Sequence, residues 1–170
     1  MGSKIPRAPG SQRLGSRRAP GRTTTTRRPV TQLVRRGGCL CGGVHFKMEG
    51  NLRPVLACHC SQCRKTSGHF WAATEVHQDQ IDIRDTGTLR WYRSSDFAQR
   101  GFCNRCGASL FWRRVGREEF LSIGAGCIDA PTGLVTQAHI FVGDASDYYQ
   151  ILPSETQWVR SPQNLDIDPT

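Results

Sequence analysis

Long apolar runs are missing from this chain of 170 residues. A membrane-spanning helix needs about 20 consecutive apolar residues, and no stretch approaches that length, so we expect no membrane contact. Residues 1–36 also lack the apolar segment of a secretory signal. Because disulfides form in oxidising compartments, we interpret the eight cysteines as reduced thiols of a cytoplasmic protein rather than as a disulfide framework.

Acidic residues are absent from the first 36 positions, which carry ten of the 23 Lys and Arg residues. Residues 37–170 hold 13 basic and 14 acidic side chains, so the formal net charge of +9 originates in the first segment alone. That segment is rich in Pro, Gly, Ser and Thr, and its few apolar residues cannot offset the entropy cost of ordering. We therefore predict a disordered basic tail over 1–36, which could bind nucleic acid or another polyanion.

Short alternating runs predict strands for the rest of the chain. Val44, Phe46 and Met48 alternate with polar residues, as in a half-buried strand, and similar runs recur about every ten residues with turn signals between them. No long amphipathic helix is predicted. The pattern indicates an all-β domain over 37–152, followed by a C-terminal extension over 153–170.

Four of the cysteines lie in two motifs that are far apart in the chain. Cys39 and Cys41 form a glycine-flanked C-x-C, and Cys103 and Cys106 form a C-x2-C that is followed by glycine, the usual outline of a zinc knuckle. Together they could form a closed tetrahedral site whose complete thiolate shell leaves no opening for a substrate. We predict a structural zinc that ties the first strand to a late one.

Three more cysteines, Cys58, Cys60 and Cys63, are spaced C-x-C-x2-C. Side chains two positions apart in an extended segment share one side, so Cys58 and Cys60 can face one ion, and a turn can bring Cys63 to it. Three sulfurs leave one tetrahedral position open, as in catalytic zinc sites. Zinc with three thiolates has a formal charge of about −1 and activates water poorly. The motif therefore favours a catalytic zinc that deprotonates a thiol for addition to a carbonyl carbon.

The eighth cysteine and two cations near the three-cysteine motif leave alternatives open. Cys127 stands alone in a glycine-rich run and is interpreted as a small buried hydrophobe; as a fourth ligand it would close the second site. Arg64 and Lys65 could bind the carboxylates of an acidic thiol such as glutathione, but an ordinary solvated surface explains them equally well.

Three histidines are candidates for proton transfer. His59 lies between two cysteines and is expected to point away from the metal. His69 and His139 lie in apolar stretches, where a core histidine with satisfied hydrogen bonds is expected. Either could carry a proton, and the sequence does not choose between them.

The cysteine motifs resemble those of the glutathione-dependent formaldehyde-activating enzyme family, which also includes centromere protein V. The resemblance covers roughly residues 37–150 and rests on GCLCG at 38–42, CHCSQCRK at 58–65 and FCNRCG at 102–107. It implies a Mss4-like fold of antiparallel sheets with two zinc ions, one structural and one catalytic. It also implies a carbon–sulfur lyase that acts on adducts of glutathione with formaldehyde or a related aldehyde. The alternative function is a zinc-stabilised binding module whose basic tail contacts nucleic acid.

Overall fold

A computed structural model describes residues 33–161, all within one compact unit that spans Thr31–Thr170. Most of the predicted basic tail, and the last part of the predicted C-terminal extension, lie outside the described residues. The last two residues assigned to the tail, Arg35 and Arg36, belong to a strand. The folded chain therefore begins before residue 37, where the sequence placed the start of the β domain.

Short strands dominate the described chain, which confirms the predicted all-β class. The strands are β1 Arg35–Gly38, β2 Val44–Met48, β3 Val55–Cys58, β4 Trp71–His77, β5 Ile81–Asp85, β6 Leu89–Ser95, β7 Ala98–Cys103, β8 Ser109–Arg114, β9 Arg117–Gly124, β10 Thr136–Ile140 and β11 Gln157–Trp158. One α-helix, α1, spans Ser61–Ser67, and short 3-10 helices span Gln78–Gln80, Ala125–Cys127 and Val142–Asp144. None of the helices described has the length and hydropathy to cross a membrane.

The strands form two sheets. One has three strands in the order β1-β2-β5, and the other has eight in the order β11-β10-β3-β4-β9-β8-β7-β6. Neighbours pair antiparallel, as predicted, except that β10 runs parallel to both β3 and β11. This exception places His139 beside Ala57 and Ile140 beside Cys58 at the end of β3, so residues from the C-terminal part of the chain reach the three-cysteine motif.

The main core lies between the two sheets. Val44, Phe46 and Met48 of β2 are buried while the residues between them are more exposed, which confirms the predicted alternation. They pack in one cluster with Phe111 of β8, and the ring of Phe46 meets that of Phe111 edge to face at 5.6 Å. This contact joins the small sheet to the large one.

A smaller apolar cluster lies on the other face of the eight-stranded sheet. It comprises Cys63, Trp71 and Ala73, with Trp112 packed against them. Successive residues of a strand point to opposite faces, so Phe111 points to the main core and Trp112 to this second cluster. Helix α1 covers this face, where the side-chain nitrogen Nε2 of Gln62 donates to the carbonyl oxygen of Ser94 at 3.3 Å.

Candidate metal centres

The first cysteine cluster joins two distant turns. We call Cys39, Cys41, Cys103 and Cys106 the four-cysteine cluster, since their sulfurs all lie within 4.8 Å of one another. The turn after β1 is closed by the amide of Cys39, which donates to the carbonyl oxygen of Val44, and the amide of Val44 donates in turn to the Cys39 sulfur at 3.2 Å. Two loops of the chain thus present their thiols to one point.

The sulfur spacing in the four-cysteine cluster fits a zinc ion. Cys41 Sγ lies 3.6 Å from Cys39 Sγ and 3.7 Å from Cys103 Sγ. Zinc–sulfur bonds of about 2.3 Å in a tetrahedron place the sulfurs about 3.8 Å apart, whereas a disulfide would hold them at about 2 Å. Cys39 and Cys103 also belong to the main core. An ion here would tie β1 to β7 inside the buried part of the domain.

The second cluster, which we call the three-cysteine cluster, brings Cys58, Cys60 and Cys63 within 4.8 Å of one another. Cys58 ends β3, and Cys63 lies in the first turn of α1. In residues 33–161 no other Cys, His, Asp or Glu joins this group. The sequence grouped the same three residues; their role as metal ligands is taken up below.

Helix α1 was not predicted from the sequence, which indicated only a turn that brings Cys63 to the ion. Cys60 caps the helix with its sulfur, which accepts a hydrogen bond from the amide of Cys63 at 3.4 Å. Gly68 ends it in the left-handed conformation, with φ of 78°, and donates its amide to the carbonyl oxygen of Arg64. The capping geometry itself places the sulfur of Cys60 close to residue 63, because an N-cap side chain bends back over the first turn.

Arg100 of β7 is a functional candidate that the sequence analysis missed. Only 7% of it is exposed, and its two terminal nitrogens lie 3.7 and 3.6 Å from Cys63 Sγ. One of them also donates to the side-chain oxygen of Gln62 at 3.4 Å. No local motif marks this arginine, since it reaches Cys63 from 37 positions away in the chain.

The surroundings of the three-cysteine cluster favour a thiolate at Cys60. Hydrogen bonds from the thiols of Cys58 and Cys63 lower the pKa of Cys60, and the amide of Cys63 and the positive charge of Arg100 lower it further. The deprotonated form is the one that binds metals.

Cys127 lies apart from the three-cysteine cluster. Its thiol contacts the carbonyl oxygen of Ser109 at 3.6 Å, and burial raises its pKa. The thiol is therefore protonated at neutral pH and half-buried, which agrees with the interpretation of Cys127 as a small apolar side chain. It does not fill the fourth position.

The three histidines converge with two tyrosines in what we call the histidine–tyrosine cluster. It comprises His59, His69, His139, Tyr148 and Tyr149. His59 is fully buried; its Nδ1 shares a hydrogen bond with the Tyr149 hydroxyl at 2.5 Å, and its Nε2 shares one with His139 Nδ1 at 2.8 Å. Its ring thus contacts this cluster instead of the cysteine sulfurs.

Burial and neighbouring charges keep His59 neutral. Desolvation is the largest cause, followed by His139, His69 and Arg64, and together they lower the pKa of His59 to about 4. With both ring nitrogens hydrogen-bonded, His59 has none left for a substrate. His139 is also buried, with its Nε2 3.5 Å from a carboxylate oxygen of Glu155.

The two cations after the motif differ in their surroundings. Arg64 donates from Nε to the carbonyl oxygen of His59 at 3.2 Å, which braces the cysteine loop. Lys65 is exposed.

A cleft of about 310 Å³ lies between the end of α1 and the loop after β9. Its walls include Thr66 and Ser67 from the end of α1, Trp71 from β4, and Gly126 and Cys127 from the loop after β9. Trp71 pairs with Cys58 across the β3–β4 ladder and belongs to the apolar cluster that contains Cys63. Trp71 therefore links the cleft, which has space for a small organic molecule, to the three-cysteine cluster.

Comparisons with known proteins find similar sequences and folds for about two thirds of the chain. The family model described as glutathione-dependent formaldehyde-activating enzyme matches residues 34–144, a range that contains both cysteine clusters. A Schizosaccharomyces pombe protein named as an uncharacterized lyase is 26% identical over 113 residues, which cover 66% of this chain and 82% of that protein. A crystal structure of a Rhodobacter sphaeroides protein superimposes with a TM-score of 0.49 and 19% identity, over 72% of this chain and 98% of that one.

Proposed function

Because this chain belongs to the glutathione-dependent formaldehyde-activating enzyme family, we propose that it is a zinc-dependent carbon–sulfur lyase. Its substrates in this proposal are a small thiol such as glutathione and an aldehyde such as formaldehyde, joined or separated as an S-hydroxymethyl adduct. The observation that supports it most directly is the three-cysteine cluster, which has three sulfurs and no fourth protein ligand within the described residues.

The two clusters take different roles in this proposal. The four-cysteine cluster would hold a structural zinc, since its four sulfurs can supply a full tetrahedral shell and two of these cysteines lie in the main core. The three-cysteine cluster holds the catalytic zinc, and Cys58, Cys60 and Cys63 are its ligands. A zinc ion there supplies a Lewis acid that lowers the pKa of an incoming thiol.

The reaction balances without a redox partner. The thiol loses its proton, its sulfur forms a bond to the carbonyl carbon, and the π electrons of the carbonyl move to oxygen, which takes up a proton. The reverse reaction breaks the carbon–sulfur bond and regenerates the carbonyl, which is the direction of a lyase. Thiolate ligands suit this chemistry because zinc with three thiolates activates water poorly but can still bind the sulfur of an incoming thiol.

The cleft between α1 and the loop after β9 would hold the thiol. Thr66 and Ser67 supply hydroxyl groups at one wall, and Trp71 supplies an apolar face next to Cys58. The Ser67 hydroxyl already contacts the carbonyl oxygens of both Cys63 and His69, at 2.8 and 2.7 Å. The wall of the cleft is therefore connected to the metal-binding loop by short hydrogen bonds.

His69 is the better candidate of the two histidines left open by the sequence. It is half-exposed, whereas His139 is buried and uses Nδ1 to bind His59. His69 binds the Tyr148 hydroxyl through Nδ1 at 3.1 Å, which orients the ring. Its backbone carbonyl and that of Cys63 both accept from the Ser67 hydroxyl, which links His69 to the metal-binding loop. We assign proton transfer to the carbonyl oxygen to His69.

The proposal is tested by measuring adduct formation from formaldehyde and glutathione by exchange NMR, with metal content determined on the same samples. Wild-type protein with two zinc ions should accelerate the exchange, and Cys60→Ser should abolish the acceleration and lose one zinc. Cys127→Ser is the matched control for the metal count, since it removes a thiol that lies outside both clusters, and it should keep both ions. Unchanged exchange in Cys60→Ser protein that has lost a zinc ion would refute the proposal.

A further inference from the structure

Arg100 carries a buried positive charge without a carboxylate partner. It is 7% exposed, and none of the ion pairs formed among residues 33–161 includes it. Arginine is almost never buried to this extent unless it is paired, because an unpaired buried charge is costly. Its counter-charge must therefore come from another kind of group.

The sulfur of Cys63 is the group that faces the guanidinium. Both terminal nitrogens contact Cys63 Sγ, at 3.7 and 3.6 Å, so the planar end of the side chain is aimed at this one sulfur. The third contact, from Nη2 to Gln62 at 3.4 Å, is to a neutral amide oxygen. With a metal bound, Cys63 would be a thiolate, the form that binds metals, and would supply the missing negative charge.

Strand pairing in the eight-stranded sheet positions Arg100 next to Cys63. Arg100 pairs with Trp112 across the β7–β8 ladder, and paired residues share a face. Trp112 packs on the apolar cluster that contains Cys63. The next residue, Gly101, faces the main core, where an added Cβ would lie 3.0 Å from Phe111. The two faces of β7 therefore separate the core from the three-cysteine cluster, with the arginine on the cluster side.

We propose that Arg100 is the counter-ion and positioning residue of the three-cysteine cluster. Zinc with three thiolates has a formal charge of about −1, and the guanidinium brings the local charge to about zero. A neutral site accepts a further thiolate more readily than a negative one, because like charges repel. The two terminal nitrogens of Arg100, which form a fork on Cys63 Sγ, also restrain the Cys63 side chain, as outer-shell partners of metal ligands commonly do. Only the consequence for an incoming thiol rests on the proposed function; the effect on the metal does not.

The test compares three variants of the full chain loaded with Co²⁺ in both clusters. Arg100→Gln removes the charge, and Arg100→Lys keeps it but loses the fork. Arg113→Gln is the matched control, since it removes a positive charge from the adjacent strand, where Arg113 lies over the Trp91 ring and donates to Gln99. The readouts are the sulfur-to-cobalt absorption bands and the release of each metal to a chelator.

In Arg100→Gln we expect one of the two metals to be released about 10- to 100-fold more readily, with shifted cobalt bands, while the other metal is unaffected. Arg100→Lys should be intermediate in both readouts, and Arg113→Gln should match wild type. Wild-type cobalt bands and metal release in Arg100→Gln would overturn the proposal. If that variant does not fold, wild-type bands in Arg100→Lys would overturn it as well, because the loss of the fork must alter the sulfur.

Addition of glutathione to the cobalt proteins separates this inference from the proposed function. Thiol binding should intensify the sulfur-to-cobalt bands of wild type at lower concentrations than those of Arg100→Gln. If glutathione changes neither spectrum, the proposed function fails, while the metal-release comparison still decides the role of Arg100.

Discussion

Tyr149 offers a sharp test of how the C-terminal segment supports the metal-binding loop. Its hydroxyl shares a 2.5 Å hydrogen bond with Nδ1 of His59. His59 is fully buried and lies between Cys58 and Cys60 in the sequence. Tyr149→Phe removes the oxygen and leaves the ring in place. The perturbation is therefore the loss of one hydrogen bond at a buried nitrogen.

The expected cost follows from the burial of the group that loses its partner. Leaving a buried donor or acceptor unsatisfied costs about 1–3 kcal/mol. Tyr149 itself is half-buried, so water can replace part of the interaction, and we expect a loss of about 1–2 kcal/mol in the free energy of unfolding. The neighbouring Tyr148 is the matched control. It is 60% exposed and its hydroxyl binds the more exposed His69 at 3.1 Å, so Tyr148→Phe should cost less than about 0.5 kcal/mol.

Two assays are used on the metal-saturated proteins. The first is urea unfolding, and the second is the rate at which each metal is released to a chelator. Tyr149→Phe should lower the midpoint and speed the loss of one of the two metals, because His59 lies in the loop that carries Cys58 and Cys60. Equal unfolding free energies for Tyr149→Phe and Tyr148→Phe would refute the reasoning. It would mean that the buried hydrogen-bond chain does not stabilise the loop.

Three further predictions concern the four-cysteine cluster, the proposed proton carrier and the packing of β1. Cys103→Ser should lose one metal and unfold the domain in the same step, since Cys103 is fully buried in the main core; retention of both metals by direct metal analysis would contradict a structural role. His69→Gln should slow adduct formation by about 100-fold or more with both zinc ions retained, whereas His139→Gln should mainly reduce stability in thermal unfolding; the opposite pattern would move the proton carrier to His139. Gly37→Ala should destabilise the domain by about 1–3 kcal/mol, because the added methyl would collide with the Cys127 carbonyl and lie 2.6 Å from the Phe46 ring; an unchanged urea midpoint would show that this crossing of β1 is not tightly packed.

Local spacing is the reason that the cysteine motifs could be recognised, although the four-cysteine cluster also needs the fold, which brings Cys41 to Cys103 across 62 positions. In C-x-C and C-x2-C motifs the paired sulfurs are brought together by the backbone of a single turn, so Cys58, Cys60 and Cys63 needed no knowledge of the fold to be grouped. The period-2 alternation of β2 is local in the same way. The short helix α1 was missed because seven residues with a sulfur cap carry neither an amphipathic stripe nor a usual N-cap signal.

The all-β class, the cysteine motifs and the family resemblance could be predicted without the fold, since each depends on residues close together or on their spacing. The surroundings of the thiols could not, because they come from distant parts of the chain. Arg100 reaches Cys63 across 37 positions, and His59 meets His139 and Tyr149 across 80 and 90. These contacts depend on the order of strands, in particular on β10 running parallel to β3, and strand order is set by packing of the whole domain rather than by any local pattern.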